Sequence, residues 1–398
     1  MKILQICSRV PYPPDDGGAI ATLSMTKNLI KEGCHLQVLA INTPKHFQPD
    51  DALKGIAELT TVYVNTNISF WGLFAGLFGK VPYNIKRFIS LDFKKKLIEV
   101  LKNNSFDIIQ FEGLFVAWYI QTARENSDAL LSYRAHNVEH LIWKRLAQKC
   151  RNPIKKWYLK KLGDDVMNFE KEYLNLFDII IAISDKDKER MIQQLKCKKK
   201  IEVIPTGIEF DEIQLNKTTH HESKKIGFLG SLNWEPNLEG LEWFLNSVWN
   251  KIIKIIPTAE FHVAGKGMQD DLKNLQITNA FFHGYVEDSA TFLNSCSIII
   301  VPLLSGSGIR VKVIEGMAYG KCIVSTRVGT EGIPVTDGNN IVLADRAEIM
   351  INKISHLFSH PEEIERIGSN AREFIRINYD NKVFIRKLIE IYKENLKK

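Results

Sequence analysis

Short apolar runs recur along this chain, each followed by a stretch in which apolar residues return every three or four positions. Lys2–Cys7, Leu36–Ile41, Thr61–Val64, Ile108–Phe111 and Ile179–Ile183 read as strands, with amphipathic helices between them. The rhythm returns with Lys225–Leu229, Ala259–Ala264, Ala280–His283, Ser297–Pro302, Cys322–Ser325 and Asn340–Leu343. Strands that alternate with helices build parallel sheets covered on both faces, so the fold class is α/β, with two doubly wound, Rossmann-like sheets. VIPTGIE (Val203–Glu209) leads into a polar run, Gln214–Ser223, that lacks apolar periodicity and separates the two series. The expected domains are 1–205 and 206–380, with 381–398 as an amphipathic terminal helix packing across both. Two such sheets turn the carboxyl ends of their strands toward a central cleft, where a ligand is expected.

A length of 398 residues suits two domains, and 45% hydrophobic with 25% charged residues supplies full-sized cores. Disorder, collagen and coiled coil are thereby excluded as the main architecture. The six cysteines are scattered without a C-x-x-C pair, which predicts reduced thiols and a cytoplasmic protein. The opening MKILQICSRVPYPP is broken by Arg9 and prolines, so no signal peptide is expected and the mature chain is expected to begin at Met1. Phe70–Phe78 (FWGLFAGLF) falls well short of the ~20 residues a bilayer crossing needs.

The net charge of +7 is unevenly spread. Residues 1–205 hold 31 basic and 22 acidic side chains, and residues 206–398 hold 22 and 24. A basic first half suits an anionic partner, whether phosphate, nucleic acid or lipid surface, and equally an ordinary solvated face. Ser69–Phe88 joins aromatics and Leu to Lys80, Lys86 and Arg87, with Lys94, Lys95 and Lys96 following. It reads either as contact with an anionic membrane or lipid-linked acceptor, or as a buried helix with a basic edge. Lys144–Lys161 adds eight basic residues near Trp143 and Trp157. No nucleic-acid recognition motif accompanies them, and no nucleic-acid partner is expected.

The residues with chemical potential lie after strands. Gly17 and Gly18 stand before a helical pattern, where glycine lets backbone N–H groups approach an anion or simply makes a turn. Residues 301–326 read strand, glycine loop, helix and strand. Gly306, Ser307, Gly308 and Ile309 form the loop, Arg310 and Lys312 add charge in the first turn, and Glu315 follows. Backbone donors, a helix dipole and two cations suit a diphosphate, while an acceptor-only carboxylate suits a vicinal diol such as ribose. Gly265 and Gly267 form a lone G-x-G after a strand. His136 opens HNVEH, which satisfies a zinc-peptidase form with Glu139 and His140. The motif straddles a strand-to-helix turn, however, and no metal site is expected.

In order and spacing, the chain resembles the retaining GT-B glycosyltransferases of the family 4 type. The resemblance runs from Gly17-Gly18 through His136-Asn137, IIIAISDKDKERM, VIPTGIE, IGFLGSLNWEPN, HVAGKGM and FHGYVED to the Glu315 region and GTEGIP. It implies a second domain that binds a nucleotide-sugar donor and a first domain that carries the acceptor site. It carries His136, facing the donor sugar, and Glu315 into the catalytic set, which Arg310 and Lys312 join from the reading of the glycine loop. Donor-binding positions would be Gly17, Gly18, Gly265, Gly267, Ser307, Gly308 and Ile309, with the backbone at Tyr285 and Val286 reading the base. Two departures stand out. The family's first glutamate, eight positions before Glu315, is Ser307 here, and its diphosphate-binding Arg is Ser231. Arg310 and Lys312 are expected to supply the missing charge.

The implied reaction is metal-independent, retaining transfer of a sugar to a glycan or lipid-linked acceptor in polysaccharide or surface-glycan assembly. It needs no cofactor beyond the nucleotide-diphosphate substrate and takes place in the cytoplasm, at a membrane surface where the acceptor is lipid-linked. A nucleotide-sugar epimerase on the same fold and a non-catalytic nucleotide-sugar-binding partner subunit are the alternatives.

Overall fold

The computed structural model describes residues 1–14, 17–69, 72, 79, 81–150, 152–205, 207–210, 213, 224–268, 276–305 and 310–396. The chain forms two units, one of Met1–Thr206 with Phe384–Lys398 and one of Gly207–Val383. The polar run Gln214–Ser223 lies outside the described residues, as does Phe70–Phe78 apart from Gly72.

The first unit is built on β1 (Lys2–Cys7), β2 (His35–Asn42), β3 (Glu58–Tyr63), β4 (Ile108–Glu112), β5 (Leu130–Arg134), β6 (Ile179–Ala182) and β7 (Lys200–Val203). Their order is β3-β2-β1-β4-β5-β6-β7, and the pairings are parallel. Successive side chains alternate faces, so these runs are apolar throughout because both faces are covered. Leu4, Ile6, Leu39 and Phe111 pack with Phe93 and Leu97 of helix Leu91–Asn103 and with Leu162 and Val166 of helix Pro153–Leu174. On the other face, Ile3, Val38, Ile108 and Ile179 meet Leu23 and Leu29 of helix Gly17–Lys31. The terminal helix, Asn381–Leu396, completes that face with Ile385, Leu388, Ile391 and Tyr392. From Phe384 onward it therefore belongs to the first unit.

β7 was not among the strands expected, and β5 was expected only as the strand that leads into the HNVEH turn. β5 reads LLSYR, whose polar Ser132 and Arg134 break the apolar signal yet are buried. β7, at the sheet edge, alternates Lys200 and Glu202 with Ile201 and Val203.

The second unit contains β8 (Lys225–Leu229), β9 (Glu260–Ala264), β10 (Ala280–Gly284), β11 (Ile298–Val301), β12 (Cys322–Ser325) and β13 (Val342–Leu343), in the order β10-β9-β8-β11-β12-β13 and again parallel. Phe228, Phe261, Val263 and Ile300 pack against Leu241, Phe244, Trp249 and Ile354. No helix among the described residues is long and apolar enough to cross a membrane. Near the basic stretches, Tyr83 and Ile85 are buried, Trp143 is half-buried and Trp157 is exposed.

Candidate functional site

In the first sheet the connections after β1 and β4 run to opposite sides. Such a switch in strand order leaves space for a ligand at the carboxyl ends of the strands. A cavity of about 170 Å3 opens there, with Ser8, Gly18, Glu112, His136, Asn137 and Glu139 in its wall.

The register sets polar residues side by side beneath it. Gln5 pairs with Gln110 and Gln110 with Ser132, while Cys7 pairs with Glu112 and Glu112 with Arg134. Glu112 accepts hydrogen bonds from Gln5 Nε2 at 2.7 Å, from Gln110 Nε2 and from Arg134 Nη1 at 3.1 Å. His136 Nε2 lies 2.8 Å from Glu112 Oε2, the oxygen that Arg134 also reaches, whereas Gln5 and Gln110 share Oε1. Burial alone would push the Glu112 carboxyl up. The Arg134 charge and the His136 and Gln5 hydrogen bonds outweigh that and hold it well below the usual carboxylate range. The network reaches outward, because Gln5 Oε1 accepts from the Thr26 hydroxyl at 2.6 Å and Gln110 Oε1 from the Tyr392 hydroxyl at 2.7 Å. A fixed carboxylate on Nε2 orients the His136 ring and leaves Nδ1 as the nitrogen available to a ligand. Gly113, at φ +85°, turns the chain beneath the ring, and a Cβ there would come 3.4 Å from His136 Cδ2.

The rest of HNVEH has separate partners. The helix begins at Glu139, so His136 stays off it. His140 is buried with Nδ1 2.6 Å from Glu170 and Nε2 3.3 Å from Gln194. The two histidines face different carboxylates and do not converge as a zinc pair. Burial, then the charge of Glu170, pushes the Glu139 carboxyl up to about 7, so a group able to take or give a proton near neutrality stands in the cavity wall. Gly17 and Gly18 open their helix, and both are exposed.

In the second sheet the diverging neighbours are β8 and β11. Gly230, just past β8, donates to Ala264 O at 3.0 Å, and Gly265 donates to Gly284 O at 2.7 Å. A Cβ at Gly265 would sit 1.8 Å from Gly230 O. One at Gly267, at φ +81°, would sit 2.1 Å from Asn233 Oδ1. The G-x-G therefore serves close packing of strand-end loops, whatever else it touches.

Arg310 precedes helix Val311–Ala318 at its N-cap position instead of lying in the first turn, with its guanidinium 4.9 Å from the Trp234 ring. Lys312 Nζ donates to Asn237 Oδ1 at 2.7 Å, and Asn237 Nδ2 donates to Ser231 O at 2.8 Å. Burial, then the charge of Arg310, lowers the Lys312 ammonium to about 7. Glu315 Oε1 accepts from the Ser289 hydroxyl at 2.6 Å. Burial raises its carboxyl, and the Ser289 bond opposes that rise.

The structure thus gathers Arg310, Lys312 and Glu315 on one helix and its N-cap. It adds Trp234 and Asn237, which in sequence are unremarked parts of GFLGSLNWEPN. Tyr285 and Val286 follow β10, the former 68% exposed and the latter half-buried. Ser307, Gly308 and Ile309 lie outside the described residues.

Comparison with known proteins joins these observations. Residues 16–212 match the model for Glycosyltransferase Family 4, and residues 223–360 match that for Glycosyl transferases group 1. A Klebsiella pneumoniae protein described as an uncharacterized 44.6 kDa protein in the cps region is 24% identical, over 99% of this chain and 100% of the relative. Sucrose-phosphate synthase from Thermosynechococcus elongatus matches at a TM-score of 0.72 and 14% identity, covering 99% of each chain. Anabaena HepE, solved with UDP and glucose, matches at 0.67 and 14%, covering 99% of this chain and 100% of that one. Family matches on both units, with parallel doubly wound sheets in each, establish that the chain belongs to the group 1, family 4-type glycosyltransferases of the GT-B fold.

Proposed function

We propose that the protein moves a sugar, with retention of anomeric configuration, from a nucleoside diphosphate held by the second unit to a glycan or lipid-linked acceptor held by the first. The observation that carries this reading is the pairing of Arg310 with a lysine whose charge is already disfavoured by burial and by that neighbour. An arriving diphosphate offsets both by supplying opposite charge, and Glu315 lies on the same helix for the ribose diol. The UDP and glucose of the Anabaena structure support a nucleotide-sugar donor. The Klebsiella relative's cps-region description supports polysaccharide or surface-glycan assembly as the setting.

In this reading the diphosphate leaves as the anomeric carbon gains positive character. Arg310 and Lys312 stabilise the leaving group, a contribution of about 3 kcal/mol for a preorganised donor. The departing phosphate oxygen takes the acceptor's proton, so the chemistry proposed here runs without a metal or an added cofactor. His136, oriented by Glu112, is the first unit's catalytic contribution. Gly17, Gly18, Gly265, Gly267, Ser307, Gly308 and Ile309 are proposed to border the donor, with Tyr285 and Val286 at its base. The setting is cytoplasmic, with peripheral contact at an anionic membrane where the acceptor is lipid-linked.

Ser307, standing where the family has a glutamate, favours a second reading, a partner subunit that binds nucleotide sugars without turnover. A thermal-shift screen of nucleotide sugars separates the two, since a ligand at 100 times its Kd adds about 2.7 kcal/mol. The hit is then assayed for sugar transfer or donor hydrolysis. Turnover that disappears in the Arg310→Ala, Lys312→Ala double variant supports catalysis. Binding without turnover selects the partner subunit, and unchanged affinity in the double variant removes the diphosphate assignment.

A further inference from the structure

Beside the His136 cavity the first unit holds a larger hollow of about 690 Å3, within the size range of small-molecule sites. Ser8, Arg9 and Phe115 line both, so the two adjoin. Charge distinguishes the larger one. Arg9, Lys45 and Arg87 face it together with His46, and none of its described lining residues is acidic. Among the described residues no carboxylate shares the hollow with these cations, so the charge they bring to it favours an anion.

Arg87 is held in place for such a task. Its Nη1 donates to Thr66 O at 2.6 Å, and its guanidinium carbon lies 5.8 Å from the centre of the Phe88 ring. Its Nε is buried with no hydrogen-bond partner among the described residues. The burial of that edge fixes the guanidinium plane, and Arg87 lines the hollow. Arg9 Nη1 stands 3.5 Å from the His46 ring nitrogens. The opposite character is present too. Phe88 and Phe115 lie 4.9 Å apart at a tilt of 36°, an apolar wall on which the C–H face of a sugar ring can rest.

From this juxtaposition we infer that the hollow is an acceptor subsite for an anionic saccharide, whose carboxylate or phosphate is held by Arg9, Lys45 and Arg87 and whose ring lies on Phe88 and Phe115. The inference deepens the proposed function, since it rests on the first unit carrying the acceptor. It excludes a neutral glycan as the preferred substrate. A planar guanidinium fork suits a carboxylate or phosphate in two-point contact, which a neutral hydroxyl cannot match. The adjoining His136 cavity then receives the acceptor's reactive hydroxyl.

The test is calorimetric titration of the full chain without donor. Cellobiouronic acid against cellobiose forms the carboxylate arm, and glucose 1-phosphate against glucose forms the phosphate arm. Inorganic phosphate is titrated alongside. The expected result is that at least one charged saccharide binds about tenfold or more tighter than its neutral counterpart, an advantage that shrinks with added salt. The arm that responds identifies the anionic group. Lys45→Gln and Arg87→Gln should each remove most of that advantage. Lys45 is exposed, so its variant keeps the test valid if Arg87→Gln fails to fold. Equal affinity for charged and neutral sugars overturns the inference. So does an advantage untouched by Lys45→Gln together with any folded Arg87→Gln, and so does binding of inorganic phosphate alone. Nucleotide-sugar affinity, read in the same samples, reports separately on the donor assignment. Its absence beside a retained anionic preference would overturn that assignment and support this one.

Discussion

Lys312 carries a cost in the folded protein that its proposed role at the diphosphate would turn to use. Its folded value of about 7 lies below the ordinary 10.5 because burial and Arg310 disfavour the charge. Between those two values the unfolded chain binds more protons than the folded one, so the stability of the ligand-free protein should rise with pH across that window. Nucleotide-sugar binding should run the other way. A bound diphosphate favours the ammonium, so affinity is flat below about 7 and falls by up to about tenfold per pH unit above it. Titration with UDP-glucose reads this cleanly, since both of its phosphates are diesters without a proton to lose near neutrality. Lys312→Arg, which keeps its charge, should flatten the profile. A wild-type affinity that holds level well above neutral pH would take Lys312 out of contact with the diphosphate. Arg310, Lys312 and Glu315 stand out in sequence as candidates because they follow a glycine loop at a strand-to-helix turn. Glu112 was not, because IIQFE reads as an ordinary strand. Its meaning appears only when the register sets it against Arg134 and beside His136.

Among elements, strands with an unbroken apolar run were legible to within a few residues. Lys2–Cys7, Lys225–Leu229 and Cys322–Ser325 have the bounds their composition predicts. β5 was legible only as the strand leading into the HNVEH turn, because Ser132 and Arg134 point into a buried polar network that only the folded sheet creates, and β7 escaped because its charges sit at the sheet edge. The strand ends of the second sheet hold a feature that sequence showed only as a turn. Loops from β8, β9 and β10 meet at Gly265, where the backbone of Gly230 leaves no room for a Cβ. Gly265→Ala must move backbone, and it should destabilise the second unit by about 1–3 kcal/mol through overpacking. Gly284→Ala meets nothing within 4 Å but sits at φ +71°, so it should cost about 1–2 kcal/mol from left-handed strain alone. Thermal unfolding in both backgrounds separates them when each is combined with Gly230→Ala. A neighbour that shares the crowding should couple to Gly265 and leave Gly284 additive. Full additivity in both pairs would show that the three loops do not pack as one.

At the scale of the whole chain, the two units differ in how the sequence completes them. The apolar cluster of the second sheet runs from Ile226 to Ile367, all within Gly207–Val383. The first sheet is finished only by the last stretch of sequence. Ile385, Leu388, Ile391 and Tyr392 cover the face that carries Ile3, Val38, Ile108 and Ile179. The Tyr392 hydroxyl also supplies the donor for Gln110 in the network beneath His136. Periodicity marks 381–398 as an amphipathic helix, expected to pack across both units, because it does not say which sheet the apolar side covers. That depends on a face left open by residues hundreds of positions earlier. Losing four large side chains at about 1.5–3 kcal/mol each, and leaving a buried acceptor unpaired at about 1–3 kcal/mol, matches the entire ~5–15 kcal/mol stability of a typical domain. Residues 207–383 expressed alone should therefore unfold cooperatively, whereas residues 1–206 alone should not. Adding a peptide of residues 381–398 to the latter should restore a cooperative melt by circular dichroism, and Tyr392→Phe in that peptide should lower its midpoint. A sharp transition for residues 1–206 without the peptide would mean that the terminal helix decorates the first unit and does not complete it.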